Sequence, residues 1–291
     1  MKKVLVTGGE GFVGYHLCKK LLSLGYEVTS LDLNLAENSE RRIIGISYIN
    51  GHTKDIQNIF SNQTFDIVFH LGEYSRVENS FKNIEQTSSS NINGTAEVLE
   101  YWRKTKAKLV YAGSSTKFAS DIVGKLSSPY AFTKASNTEL VQAYASWYEL
   151  SYAITYFYNV YGPNENEAGD YATLIAILKK RMRENKILSV VLPGTQKRNF
   201  THVNDIVEGI VLAAEKGSGD GYGIGANEEY SILEACQMFG GEIEYLPERA
   251  GNRMSAELKT EKVKDLGWIQ KYNLKNYIEE LKNNNFNDIE K

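Results

Sequence analysis

Short, almost wholly apolar runs alternate with longer amphipathic stretches through residues 1–160. The runs at 4–6, 27–31, 46–50, 65–71, 108–112 and 152–157 have the length and the β-branched and aromatic content of strands. Between them, 15–24, a stretch opened by Gly51-His52-Thr53-Lys54-Asp55-Ile56, 84–104 and 131–150 read as helices. Strands that are apolar on both faces and joined by crossover helices predict an α/β fold. Its centre would be a doubly wound parallel sheet with ligands at the carboxyl ends of the strands. After Tyr158-Asn159-Val160-Tyr161-Gly162-Pro163 the alternation loosens. The pattern there predicts helices at 172–183, 205–216 and 274–282, and strands at 188–192 and near Tyr222-Gly223-Ile224. These are expected to form a smaller C-terminal lobe over the strand ends. Residues 1–160 would be mainly the sheet domain and 161–291 mainly the smaller lobe, interleaved without a clean linker. The polar end at 283–291 is expected to fray.

The first strand runs into Thr7-Gly8-Gly9-Glu10-Gly11-Phe12-Val13-Gly14, where Gly8, Gly11 and Gly14 precede a helix. Strand, glycine turn and helix in this order form a Rossmann dinucleotide site. Gly8 permits the tight turn, Gly11 lets a pyrophosphate approach the backbone, and Gly14 lets helix and strand pack closely. The helix N-terminus then offers unpaired N–H groups to the phosphates. The second strand ends at Asp32, an acid placed to hold the adenosine ribose hydroxyls. A carboxylate there repels a 2′-phosphate, and Leu33, Asn34 and Leu35 bring no compensating positive charge. The expected cofactor is NAD rather than NADP.

A chain of 291 residues can bury a large core, and its net charge of −3 gives no general pull toward nucleic acid or anionic membrane. Cys18 and Cys236 are too few and too far apart for a disulfide framework or a metal knuckle. His16, His52, His70 and His202 show no metal-ligand spacing, so no metal is expected. No leader peptide or membrane-length apolar run is evident, and the expectation is a cytoplasmic protein.

Candidate chemistry lies at Ser114 and at Tyr130-Ala131-Phe132-Thr133-Lys134. Residues four apart on a helix share a face, so Tyr130 and Lys134 can address one site. An ammonium beside a phenol, with a nicotinamide ring nearby, favours the phenolate. That makes a general base for a sugar hydroxyl while hydride leaves the carbon. Ser114, at the end of a neighbouring strand, can hydrogen-bond the same hydroxyl. Spacing alone is weak, since Tyr15 and Lys19 repeat it among 19 tyrosines. What separates the second pair is its place after a strand that ends in Ser114.

These motifs resemble those of the extended short-chain dehydrogenase/reductases, the group of nucleotide-sugar epimerases and dehydratases. The likeness runs from Lys3 to about Trp268 and includes His70-Leu71-Gly72, Asn159-Val160-Tyr161-Gly162-Pro163, 198–205 and Leu266-Gly267-Trp268. It implies that Gly8, Gly11, Phe12 and Val13 follow the pyrophosphate, with Asp55 and Ile56 at the adenine. Leu71, Asn91 and Lys134 would line the rest of the cofactor track. Asn159, Arg198 and Arg249 would hold the substrate diphosphate and Asn252 its ribose. Ser75 and Arg76 stand where sugar contacts originate, and Tyr130 and Ser114 would flank the C4 hydroxyl. The resemblance also implies a UDP- or GDP-linked sugar as substrate, and a homodimer formed through helices at 92–104 and 135–150.

Two departures bear on the reaction. Gly72-Glu73 replaces the usual pair of alanines, and Ser115-Thr116 replaces the Asp-Glu pair with which 4,6-dehydratases remove water. Ala256 stands where some 4-epimerases place a tyrosine that excludes a 2-acetamido group, which implies room for an N-acetylhexosamine. The resulting expectation is an NAD-dependent nucleotide-sugar 4-epimerase. The alternatives are a 4,6-dehydratase or 4-keto reductase on the same scaffold, and a non-enzymatic NAD-binding sensor or scaffold.

Overall fold

A computed structural model describes residues 1–33, 42–115, 122–169, 171–247 and 257–289. Seven parallel strands form the central sheet: Lys3–Thr7 (β1), Glu27–Asp32 (β2), Ser47–Asn50 (β3), Ile67–His70 (β4), Lys108–Ser114 (β5), Tyr152–Phe157 (β6) and Gly219–Ile224 (β7). Their order is β7-β6-β5-β4-β1-β2-β3, so the winding reverses between β1 and β4. That reversal opens a crevice at the strand ends, the usual ligand position in such sheets.

Alternation along each strand sends side chains to opposite faces. Val4, Val6, Ile67, Phe69 and Val110 join one core cluster. Leu5, Val68, Leu109 and Tyr111 join the other. Helices Phe12–Ser23 (α1), Thr95–Thr105 (α2), Pro129–Tyr148 (α3) and Val203–Lys216 (α4) supply the covering layers. Leu17, Cys18 and Leu21 of α1 and Val207, Ile210 and Val211 of α4 fill the first cluster. Val98, Leu99 and Trp102 of α2 and Val141 and Ala145 of α3 fill the second. Cys18 is fully buried here, a small apolar side chain.

Residues 205–224 are where the two parts interleave. Here β7 pairs with β6 at the sheet edge and α4 packs on α1. The strand's glycines and turn-like composition hide its membership, which pairing alone decides. The smaller lobe has its own core, with Leu178, Leu188, Val190, Phe239, Ile278 and Leu281. It contains a helix at Ile232–Phe239 and a strand at Ile243–Leu246 that the sequence pattern did not single out.

The predicted helix at 84–104 is also modified. It starts as Ile84–Thr87, widens to a π-helical segment at Ser88–Gly94 and resumes as α2. The end of the chain is not frayed through Ile289. Asp288 forms an ion pair with the fully buried Lys179 and accepts the Asn164 N–H at 2.9 Å.

Candidate active site

At the carboxyl ends of the strands lies a cleft of about 890 Å³, within the ~300–1,000 Å³ range of small-molecule sites. Gly8, Gly11, Phe12, Val13 and Gly14 form one wall, with Asp32 from β2 beside them. Gly8 has φ +73°, a left-handed turn that a side chain would strain. A Cβ on Gly14 would sit 2.0 Å from the Gly8 carbonyl oxygen, so only glycine lets α1 approach the turn. The first turn of α1 has no side-chain cap and no acid, which leaves its N–H groups to an anion. The Asp32 carboxylate accepts the Glu10 N–H at 3.0 Å, locking the acid against the turn. These residues fit an NAD: the glycine cradle and the uncapped helix suit a pyrophosphate, and Asp32 suits ribose hydroxyls.

Tyr130 and Lys134 line the same cleft. Ser128 caps α3 by accepting the Ala131 N–H at 3.0 Å, Pro129 opens the first turn, and the Tyr130 N–H donates to Ser80 Oγ at 3.2 Å. The start of α3 is therefore held firmly, and with it the tyrosine. Ser114 ends β5 and is 8% exposed, next to the lining residues Ala112 and Gly113.

Lys134 is not a bare ammonium. It forms a buried ion pair with Glu73 and also donates to the Ala112 carbonyl. The Glu73 side chain is 2% exposed and collects three more donors: Thr95 Oγ1 at 2.9 Å, Asn137 Nδ2 at 2.7 Å and the Tyr111 hydroxyl at 3.0 Å. A chain of hydrogen bonds leads into it. Gly72 N–H donates to Thr7 Oγ1, which donates to His70 Nδ1, and His70 Nε2–H donates to Thr95 Oγ1. This direction requires a neutral imidazole, and burial pulls the His70 pKa down to about 4. Burial alone would raise the Glu73 pKa. The Lys134 charge and the donated hydrogen bonds outweigh it and hold the carboxyl below its usual value.

The other sequence candidates divide. Leu71, Ser75, Arg76 and Asn159 line the cleft. Arg76 donates to the Tyr171 carbonyl, lies 5.7 Å from the centre of the Tyr171 ring, and buries its Nε without a partner among the described residues. Desolvation lowers its pKa from the usual guanidinium value. Asn91, expected on the cofactor track, is not among the residues that line the cleft. It is fully buried, and its amide is spent on the Tyr74 backbone and Thr133 Oγ1. Asp55 and Ile56 are likewise off the lining, because Asp55 faces solvent and Ile56 is in the core. His52 and Thr53, just before them, line the cleft. Arg198 is off the lining too, in a two-residue strand where it donates to the Lys197 carbonyl, while Phe200 reaches the cleft. Arg249, Asn252 and Ala256 lie outside the described residues.

Tyr171, Thr173 and Phe157 also reach the cleft, and nothing in their sequence surroundings marks them. Glu73 was visible as a departure from the family pattern, but its partner was not, because Lys134 lies 61 positions away.

The family model described as "NAD dependent epimerase/dehydratase family" matches residues 4–225. A putative UDP-glucose 4-epimerase of Methanocaldococcus jannaschii is 29% identical across 97% of this chain and 99% of its own length. A dTDP-D-glucose 4,6-dehydratase of Bos taurus is 28% identical across 93% of this chain and 84% of its own. The Thermotoga maritima UDP-glucose 4-epimerase, solved with UDP-glucose, superposes with a TM-score of 0.88 at 26% identity, covering 97% of this chain and 99% of that one. The chain is a member of the NAD-dependent epimerase/dehydratase family, enzymes that act on nucleotide sugars with NAD.

Proposed function

We propose that the protein is a nucleotide-sugar 4-epimerase. The observation that carries this reading is the fate of the cleft's carboxylates. Among the described lining residues these are Glu10, Asp32 and Glu73. Glu10 and Asp32 stand at the glycine turn, and Glu73 is consumed by Lys134 and three further donors. Loss of water across C5 and C6 needs a base and an acid within hydrogen-bond reach of those carbons. Neither Ser114 nor Ser115 is ionised at neutral pH. Interconversion at C4 needs a proton acceptor, a hydride acceptor and room to turn the sugar.

In this reading Tyr130 takes the proton of the C4 hydroxyl and later returns it, with Ser114 bonded to the same oxygen. Lys134 holds the cofactor ribose, and Asp32 the adenosine ribose. Bound NAD supplies reversible hydride acceptance at C4. Ser75, Arg76 and Asn159 line the part of the cleft left for the sugar nucleotide. The relatives named as dTDP-glucose dehydratases make the alternative concrete, and product mass separates the two. The protein is incubated with UDP- and GDP-linked hexoses and N-acetylhexosamines. An unchanged mass with a shifted anomeric proton resonance is the expected result, and a product lighter by one water would replace the epimerase with a dehydratase.

A homodimer is part of the same proposal. Ile92 and Trp147 are 47% and 64% exposed on the helices expected to pair. Light scattering at the mass of one chain would remove it.

A further inference from the structure

Beside the glycine cradle and Tyr130, the cleft holds one buried acid whose function the epimerase reading does not use. Glu73 could have been met by neutral donors alone. Instead it pairs with Lys134, the cation nearest Tyr130 in sequence, and both line the cleft with Tyr130. Lys134 and Glu73 therefore share with Tyr130 the cleft in which a hydride acceptor must lie if Tyr130 abstracts the C4 proton. A nicotinamide ring is positive when oxidised and neutral when reduced, so charge in this region weighs on one form only. The neutral His70 adds no positive charge from behind.

We propose that Glu73 is a positioning residue that sets the redox balance of the bound cofactor, by holding Lys134 in place and cancelling its charge so that the oxidised form is favoured. The proposal rests on the epimerase reading, in which each turnover returns the hydride and the resting enzyme must hold NAD in its oxidised form. The hydrogen bonds fit a group that must stay ionised. Thr95, Asn137 and Tyr111 donate to a carboxylate, and the chain from Gly72 through His70 ends there.

The test is the midpoint potential of the cofactor in the holoenzyme, followed by the absorbance of the reduced nicotinamide during titration against a redox dye. Glu73→Gln keeps the shape and removes one charge. It should move the bound equilibrium about tenfold toward NADH, as one charge that acts through strong screening would. For a two-electron couple this is a rise of about 30 mV. Lys134→Met should move it the other way, and the double variant should return near the wild type. A purely structural role would weaken both cofactor forms together and leave the potential alone. A Glu73→Gln potential within twofold of the wild-type equilibrium overturns the proposal. If that variant does not fold, Lys134→Met decides, and absence of the opposite shift overturns it equally. A wild-type protein that holds neither cofactor form would sink the epimerase reading as well, whereas normal binding with an unmoved potential sinks this proposal alone.

Discussion

Tyr130 is held by its helix, not by its hydroxyl: the Ser128 cap and the bond to Ser80 fix the backbone, and the ring lines the cleft. Tyr130→Phe should therefore leave cofactor affinity nearly unchanged while turnover falls by ~10²–10⁴-fold, the usual worth of a general base. Wild-type rates in that variant would reject the assignment. Glu165 gives a second prediction. It is fully enclosed, and burial pushes its pKa up to about 7 despite hydrogen bonds from Thr173 and the Gly162 N–H. Between its unfolded value and 7 the folded protein binds the extra proton, so this group's contribution to stability falls as pH rises through that window. Relative to Glu165→Gln, the wild type should gain roughly 1–3 kcal/mol on going from pH 7.5 to pH 5. Urea unfolding at the two pH values measures it, and a constant difference would count against the shift.

The meeting of β1 and α1 is the element on which the cofactor site depends, and its tolerance is smallest at Gly14. An added Cβ there would fall 2.0 Å from the Gly8 carbonyl oxygen and 2.8 Å from the Gly9 Cα, both backbone atoms without rotamers to retreat into. Gly14→Ala should cost roughly 1–3 kcal/mol as α1 is pushed from the strand, and should weaken NAD binding along with it. Thermal melting with and without NAD would show both losses. Unaltered melting would mean that the turn can shift. The π-helical widening at 88–94 has a comparable local reason. It carries Asn91 inward, where the amide clamps the Tyr74 backbone that follows the Glu73 position.

At the scale of the whole molecule, Asp288 near the end of the chain ties the smaller lobe together. Lys179 is fully buried, and its charge is met by Asp288 and by Glu167 at 3.2 Å. Removing a partner from a buried pair typically costs ~3–5 kcal/mol. Because Glu167 remains, Asp288→Ala should cost roughly 1–3 kcal/mol. Calorimetry should show the loss while cofactor affinity stays unchanged, since the pair lies off the cleft lining; an unchanged transition would make the tail dispensable.

What local pattern encodes was legible in the residues themselves. Strands apolar on both faces, the Gly8–Gly14 turn, Asp32 and the four-residue spacing of Tyr130 and Lys134 depend on neighbours along the chain, and they led to the sheet, the cofactor and the family. Other features depend on pairings across long separations, where no short window carries a signal. The seat of β7 beside β6 is one, decided by edge hydrogen bonds that a glycine-rich strand does not advertise. The absence of Asn91 and Ile56 from the cleft lining is another, set by which side of a helix meets the core. The union of Glu73 with Lys134 is the third, and here burial supplied the reason: a carboxylate and an ammonium removed from water must find each other, and only the folded chain brings them together.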